Sequence, residues 1–328
     1  MDHEGTCKEI TKESDPELFY AILGGSPGNF GILTHFTLEA HRDSDHEGSR
    51  GLKSLYWYDP DTLRRLLDIF VAVSDDEKFP RNYDFCVSVL SSSFKLLDLW
   101  PELDGAMRED HPEIYGENDM PFWPRTIVVY AQWVPFDKND TCDMAWADSE
   151  MDFPECARIR PSYIKRTYAT SSTTLGKDGW ASWVTDRINA IVVPEKKRCW
   201  LSAQLQYFGG KYSKFTTNAD NGTSYSWRDS TILCTLDCFH SSEGKSRAED
   251  WQRGNDAEGI GPNGFFSKQD RRVLWGSYGS FDLDASRAYH YEDQAKYERL
   301  QKARQAADPA GTFTPNTFAV KRWAGGDT

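Results

Sequence analysis

The sequence predicts an α+β fold in which an antiparallel sheet carries helices against one face. Three observations carry this. Long segments alternate apolar and polar residues with period two, as strands with one buried face do. Between them lie segments with apolar residues three and four apart, the mark of amphipathic helices. No repeat or low-complexity tract interrupts them, and 328 residues suffice for a sizeable core.

Residues 15–23, DPELFYAIL, predict the first helix. Asp15 caps it, Pro16 suits its first position, and Leu18, Phe19 and Ile22 form an apolar stripe. Gly24 and Gly25 end it. From Phe30 the period changes to two. Phe30, Ile32, Phe36, Leu38 and Ala40 point one way and Leu33, His35, Thr37 and Glu39 the other, which predicts a strand with a well-buried face. The polar stretch 41–51 reads as a domain boundary. Asp59 and Pro60 open a second helix whose Leu63, Leu66, Leu67 and Phe70 share a face. Strands are expected at 83–97, 126–136, 157–168, 198–208 and 224–239, and helices near 141–148, 179–191, 244–258 and 286–307. Residues 101–125, rich in Pro, Glu and Asp, read as loop, and Asn221-Gly222 as a turn. The tail after Gly311 holds two Phe and a Val, so it is expected to dock rather than hang free.

Composition excludes several classes of function. A net charge of −13 opposes nucleic-acid phosphates and anionic membrane surfaces, so neither is an expected partner. No apolar run approaches the roughly 18 residues of a membrane span. The first ten residues lack the basic and apolar regions of a secretion signal. The seven cysteines include no C-x-x-C pair, which leaves zinc ribbons and thioredoxin-type redox sites without support. Cys234 and Cys238 share a strand face and read as core residues ahead of metal ligands. Asn139 and Asn221 begin tripeptides that would accept glycans in a secreted chain. Aromatics make up 14% of the chain, with 12 Trp; most belong in the core, but enough remain to line a cleft for a planar or sugar-like ligand.

The glycine run LGGSPGNFGILTHFTL, residues 23–38, is not a phosphate loop. It lacks the dinucleotide-binding spacing, has a helix before it and a strand after, and no Lys-Ser/Thr follows. Phosphate binding uses the N–H groups that open a helix, and these glycines close one. A cap and a tight turn explain Gly24 and Gly25. Gly28 and Gly31, at the start of a strand, suggest close approach by backbone or by a flat ligand.

The stretch DPELFYAILGGSPGNFGILTHFTL resembles the second half of the flavin domain in the berberine-bridge-enzyme-like FAD-linked oxidases. The C-terminal YHYEDQAKYERLQKARQAADPAGTFTPNTF resembles that family's berberine-like tail. QYFGGK (206–211) and SYSWRDS (224–230) resemble its substrate domain. The resemblance implies that residues 1–42 are the end of a PCMH-type FAD-binding domain, 50–285 the substrate domain, and 286–328 the segment that returns to the flavin. It implies FAD as cofactor, a small alcohol, sugar or amine as substrate, and O2 as electron acceptor. Members of the family are often secreted. Tyr291 matches the family's active-site tyrosine, with Tyr289 as an alternative, and Asp237 is a candidate carboxylate partner. Gly25, Gly28, Asn29, Gly31, Ile32, Asn316 and Phe318 would lie along the flavin, and Gln204 and Gln206 would bind substrate hydroxyls. In the family a pyrophosphate loop and a flavin-attaching His, often joined by Cys, come first. Only 23 residues precede Gly24, and His3 and Cys7 stand in the wrong context for attachment. The chain is therefore expected to be a truncated oxidase. The alternative is a non-catalytic remnant or half-protein that binds a small aromatic or carbohydrate ligand.

Overall fold

The computed structural model describes residues 1–25, 28–91, 108–110, 125–136, 139–140, 163–170, 179–192, 199–209, 212–260, 264–265, 290–313 and 319–325. Six strands form one antiparallel sheet: β1 (Arg50–Trp57), β2 (Tyr83–Leu90), β3 (Thr126–Trp133), β4 (Tyr163–Thr170), β5 (Cys199–Tyr207) and β6 (Ile232–His240). Their order is β1-β3-β2-β5-β6-β4. The helices are α1 (Pro16–Ile22), α2 (Pro60–Asp75), α3 (Trp180–Val192), α4 (Lys214–Thr217), α5 (Lys245–Gly259) and α6 (Gln294–Ala307). The expected α+β class is the observed one.

Alternation gives the sheet two unlike faces. One face presents Val87, Val89, Leu201, Ala203, Leu205, Ile232, Cys234, Leu236 and Cys238 to α2, α3 and α5, and these make the main core. Cys234 and Cys238 are fully buried there, as free thiols. Helix α2 starts as its sequence dictates: Asp59 accepts the Thr62 N–H, Pro60 follows, and Leu63, Leu67 and Phe70 are buried.

A charged clamp fixes α5 to the edge strand β4. The buried guanidinium of Arg166 donates from Nε to Asp256 Oδ1 at 3.1 Å, and the Tyr168 hydroxyl donates to the same oxygen at 2.6 Å. Gln252 donates to the carbonyls of Ile164 on β4 and Leu236 on β6, so one amide ties two strands to α5.

A second, smaller core joins the two ends of the chain. Ala21, Phe30, Tyr291, Tyr297, Leu300, Ala303 and Val320 pack together. Glu17 on α1 receives both Nε and Nη2 of Arg299 on α6, whose guanidinium also lies 3.7 Å from the centre of the Tyr20 ring. The tail docks through Val320, with its carbonyl accepting from Arg304.

Several expectations are corrected. Residues 30–40 form no strand with a buried face: Phe30 alone is buried, while Ile32, Leu33, Phe36 and Leu38 are 48%, 64%, 72% and 75% exposed. The alternation is present, but no strand among the described residues pairs with it. Helix α1 buries Ala21 and rests Leu18 and Tyr20 on the small core, leaving Ile22 outward. Strand β1 arises partly within the expected boundary; it is an edge strand, half solvated on both faces, so its pattern shows little contrast. Residues 224–231 are not strand but an irregular link in which Trp227 has φ +62°. Helix α6 begins at Gln294, capped by Asp293. The expected helix at 141–148 and strand residues 92–97 and 157–162 lie outside the described residues.

Replacing Asp256 with Ala strands a buried guanidinium. We expect a loss of about 3–5 kcal/mol in denaturant-induced unfolding, and partial recovery when Arg166→Leu is added.

Candidate functional site

The sheet face opposite the helices is polar. Register sets its rows: Ser88, Gln204, Thr235 and Thr167 lie opposite one another across β2, β5, β6 and β4. The next row along contains Ser202, Asp237 and Lys165. On the other side Cys86 faces Gln206. Asp237 and Gln204 are thus diagonal neighbours, about 7–8 Å apart. The structure brings together three of the expected site residues, Asp237, Gln204 and Gln206, on this one face. Asp237 faces away from Cys234 and Cys238, as alternation requires.

Asp237 is the chemically unusual group. Its Oδ1 is buried and accepts no hydrogen bond among the described residues, and its Oδ2 lies 3.8 Å from Lys165 Nζ. Burial raises the carboxyl pKa above the ordinary aspartate value, and the nearby ammonium only partly opposes this. Such a carboxylate is poised to take a proton.

Sequence reasoning missed Asp84. It stands at the end of the same face, where partial desolvation raises its pKa against hydrogen bonds from the Phe85 N–H and the Gln206 amide. Its signal was present: Asp84, Cys86 and Ser88 alternate onto one face of β2. Cys86 lies inward on that face, 3.6 Å from the Ser88 hydroxyl, and burial pushes its thiol pKa up.

The residues expected along the flavin lie elsewhere. Gly24 has φ +129°, and a Cβ there would stand 2.1 Å from Tyr225 N. A Cβ on Gly25 would meet the Ala21 carbonyl oxygen at 2.4 Å and the Phe30 ring at 2.8 Å. Gly31 has φ +141° and faces the Met1 carbonyl oxygen, which also accepts the Ile32 N–H at 2.9 Å. Asn29 is fully enclosed. Gly28, with φ +79°, and Ile32, half-exposed, remain at the surface. The faces of Gly24, Gly25 and Gly31 are filled by the chain itself.

Tyr291 sits in the small core, 2% exposed and 5.2 Å ring-to-ring from Tyr297. It belongs to a different cluster from the sheet face that carries Asp237. His3 Nδ1 lies 3.0 Å from the Ala307 carbonyl oxygen, and Cys7 is an exposed thiol. Tyr289, Asn316 and Phe318 lie outside the described residues. No group of three metal-binding side chains occurs among the described residues, and no helix there is long and apolar enough to cross a membrane.

We expect Gly24→Ala to lose about 1–3 kcal/mol through backbone strain and more through overlap with Tyr225. Gly48→Ala, where φ is +91° with nothing within 4 Å, is the control for strain alone. Thermal unfolding of the two variants separates the contributions.

No profile of a known family and no curated protein sequence matches the chain. Solved structures do. Glucooligosaccharide oxidase of Acremonium strictum superposes with a TM-score of 0.64 at 13% identity, over 98% of this chain and 65% of its own. A variant berberine-bridge-enzyme-like protein of Physcomitrella patens gives 0.63 at 11% identity, over 98% and 64%. Berberine bridge enzyme in complex with (S)-reticuline gives 0.53 at 13%, over 94% and 61%. The Acremonium oxidase carries a 6-S-cysteinyl, 8α-N1-histidyl FAD. This chain spans about 65% of the length of that oxidase. It has the fold of the berberine-bridge-enzyme-like FAD-linked oxidases.

Proposed function

We propose that this chain is the substrate-side portion of an FAD-dependent oxidoreductase acting on a small alcohol, sugar or amine, with O2 as electron acceptor. The fold supports the class, and Asp237 carries the chemistry. Its Oδ1, buried and without a hydrogen bond among the described residues, takes the proton from the substrate O–H or N–H. Lys165 Nζ stays near Oδ2 and steadies the carboxylate when it is charged. Gln204 and Gln206 offer amide donors and acceptors that orient substrate hydroxyls along β5. FAD, when bound, supplies the hydride-accepting chemistry. Asp237 is expected as the carboxylate partner of an active-site tyrosine, Tyr291 or Tyr289; we assign it the base instead, because Tyr291 is packed into an apolar core.

In this reading residues 1–42 and 286–328 are the chain's share of the flavin domain, and 50–285 the substrate domain. The small core that unites Phe30, Tyr291 and Val320 supports that division.

Asp237→Asn is expected to lower turnover by about 10²–10⁴-fold while ligand binding persists. The pH dependence follows from the sign of the shift. Activity requires the carboxylate, so it climbs with pH through a pKa above the ordinary aspartate value. The asparagine variant lacks that limb. Its stability behaves oppositely: a raised folded-state pKa favours the fold at low pH and is lost as pH rises through it, so the variant is relatively more stable at neutral pH.

A second reading is favoured by the exposed apolar residues of 32–40, which suit pairing with polypeptide outside this chain. Here the chain is a non-catalytic half that binds a carbohydrate or aromatic ligand. Titration with FAD, followed by visible absorption, and with oligosaccharides or phenolics, followed by peroxide release, separates the two. Flavin uptake with peroxide supports the oxidoreductase. Ligand binding with neither supports the second reading.

A further inference from the structure

We propose that Asn221 is an acceptor site for N-linked glycosylation, with the first sugar seated in the cleft between α1 and the turn after α4. The tripeptide Asn221-Gly222-Thr223 has the acceptor pattern. The structure adds three observations that a chance tripeptide need not show.

The first is the orientation of the amide. The Thr223 N–H and hydroxyl both donate to Asn221 Oδ1, at 3.2 and 2.7 Å. A backbone N–H can only donate, so the atom that receives it is the amide oxygen. Nδ2 therefore points away from Thr223, and among the described residues it donates no hydrogen bond. Substituting it breaks nothing in the fold.

The second is support from behind. The Thr223 hydroxyl oxygen also accepts from Arg228 Nη2 at 2.7 Å, and the Ser224 N–H is shared by the Tyr20 and Leu23 carbonyls at the end of α1. The turn is held firmly on its inner side while Ala219, Asp220 and Gly222 stay exposed.

The third is space. Asn221 lines a cleft of about 410 Å³ whose other wall includes Phe19 and Tyr20. Lys12 stands over the Phe19 ring at 5.9 Å and Arg299 over the Tyr20 ring at 3.7 Å, so the seat offers a sugar cationic donors beside aromatic rings.

The transfer forms a bond between Nδ2 and the anomeric carbon of a polyprenyl-pyrophosphate-linked oligosaccharide. The anomeric C–O bond breaks, and the proton lost from Nδ2 leaves with the pyrophosphate. The tripeptide at Asn139 has its Thr141 outside the described residues and carries no such argument.

The test is secreted expression of the full chain behind a leader peptide in a glycosylating eukaryotic host. Tryptic residues 215–228, recovered from protein in the medium, are expected to carry a hexosamine-based glycan. Peptide N-glycosidase, a glycan-releasing amidase, should remove it, leaving Asp at position 221. Asn221→Gln and Thr223→Ala abolish the modified peptide, and Thr223→Ser keeps it. The seat is read separately: the glycosylated protein melts higher than the amidase-treated form, and Phe19→Ala removes the difference. Unmodified 215–228 in medium protein, or a glycan that persists on this peptide in Asn221→Gln, overturns the site. Equal melting of the two forms overturns the seat.

Discussion

The backbone contact at Gly24 is the joint on which the rest of the molecule depends. There the end of α1 lies directly against Ser224 and Tyr225, with no room for a side chain. The Ser224 N–H bonds to the Tyr20 and Leu23 carbonyls, and three residues later the chain enters the strained turn at Trp227. The Trp227 N–H is taken by Glu292, just before α6. The link 224–231 thus holds the N-terminal helix, the C-terminal helix and the entry to β6 in one place. Loosening it would separate the small core from the sheet, and with it any relation between Tyr291 and the polar face.

The sheet supplies the second constraint. Its pleat assigns every odd residue of β6 to one face and every even residue to the other. Burying Cys234, Leu236 and Cys238 under α5 therefore forces Asp237 onto the polar face. The same alternation on β5 buries Leu201, Ala203 and Leu205 and turns Gln204 and Gln206 outward. The core and the candidate site are two outcomes of one pattern. Asp237 loses solvation there, and among the described residues its Oδ1 gains no hydrogen bond in exchange.

What was legible in the sequence followed period and caps. Asp59-Pro60 marked α2 and Asp15-Pro16 marked α1, while Gln204, Gln206 and Asp237 were singled out through the family resemblance and are set on one face by the pairing of β5 with β6. What was not legible depended on distant chain. SYSWRDS alternates like a strand, but Trp227 turns left-handed and its carbonyl accepts the Ser230 N–H, so the pairing starts only at Ile232. Gly24, which reads locally as a helix cap, is shaped by Ser224 and Tyr225 far along the chain, a contact no local pattern encodes. The run from Phe30 has a strand's pattern without a strand's partner, because alternation fixes which way side chains point but not what they meet.

That run also bears on how the chain survives in solution. Ile32, Leu33, Phe36 and Leu38 form an apolar stretch with few charges, open backbone and no proline, the kind of segment that templates assembly with copies of itself. The net charge of −13 keeps molecules apart at low ionic strength, and added salt screens it. The residues most open to contact between copies are thus ones that take no part in either core.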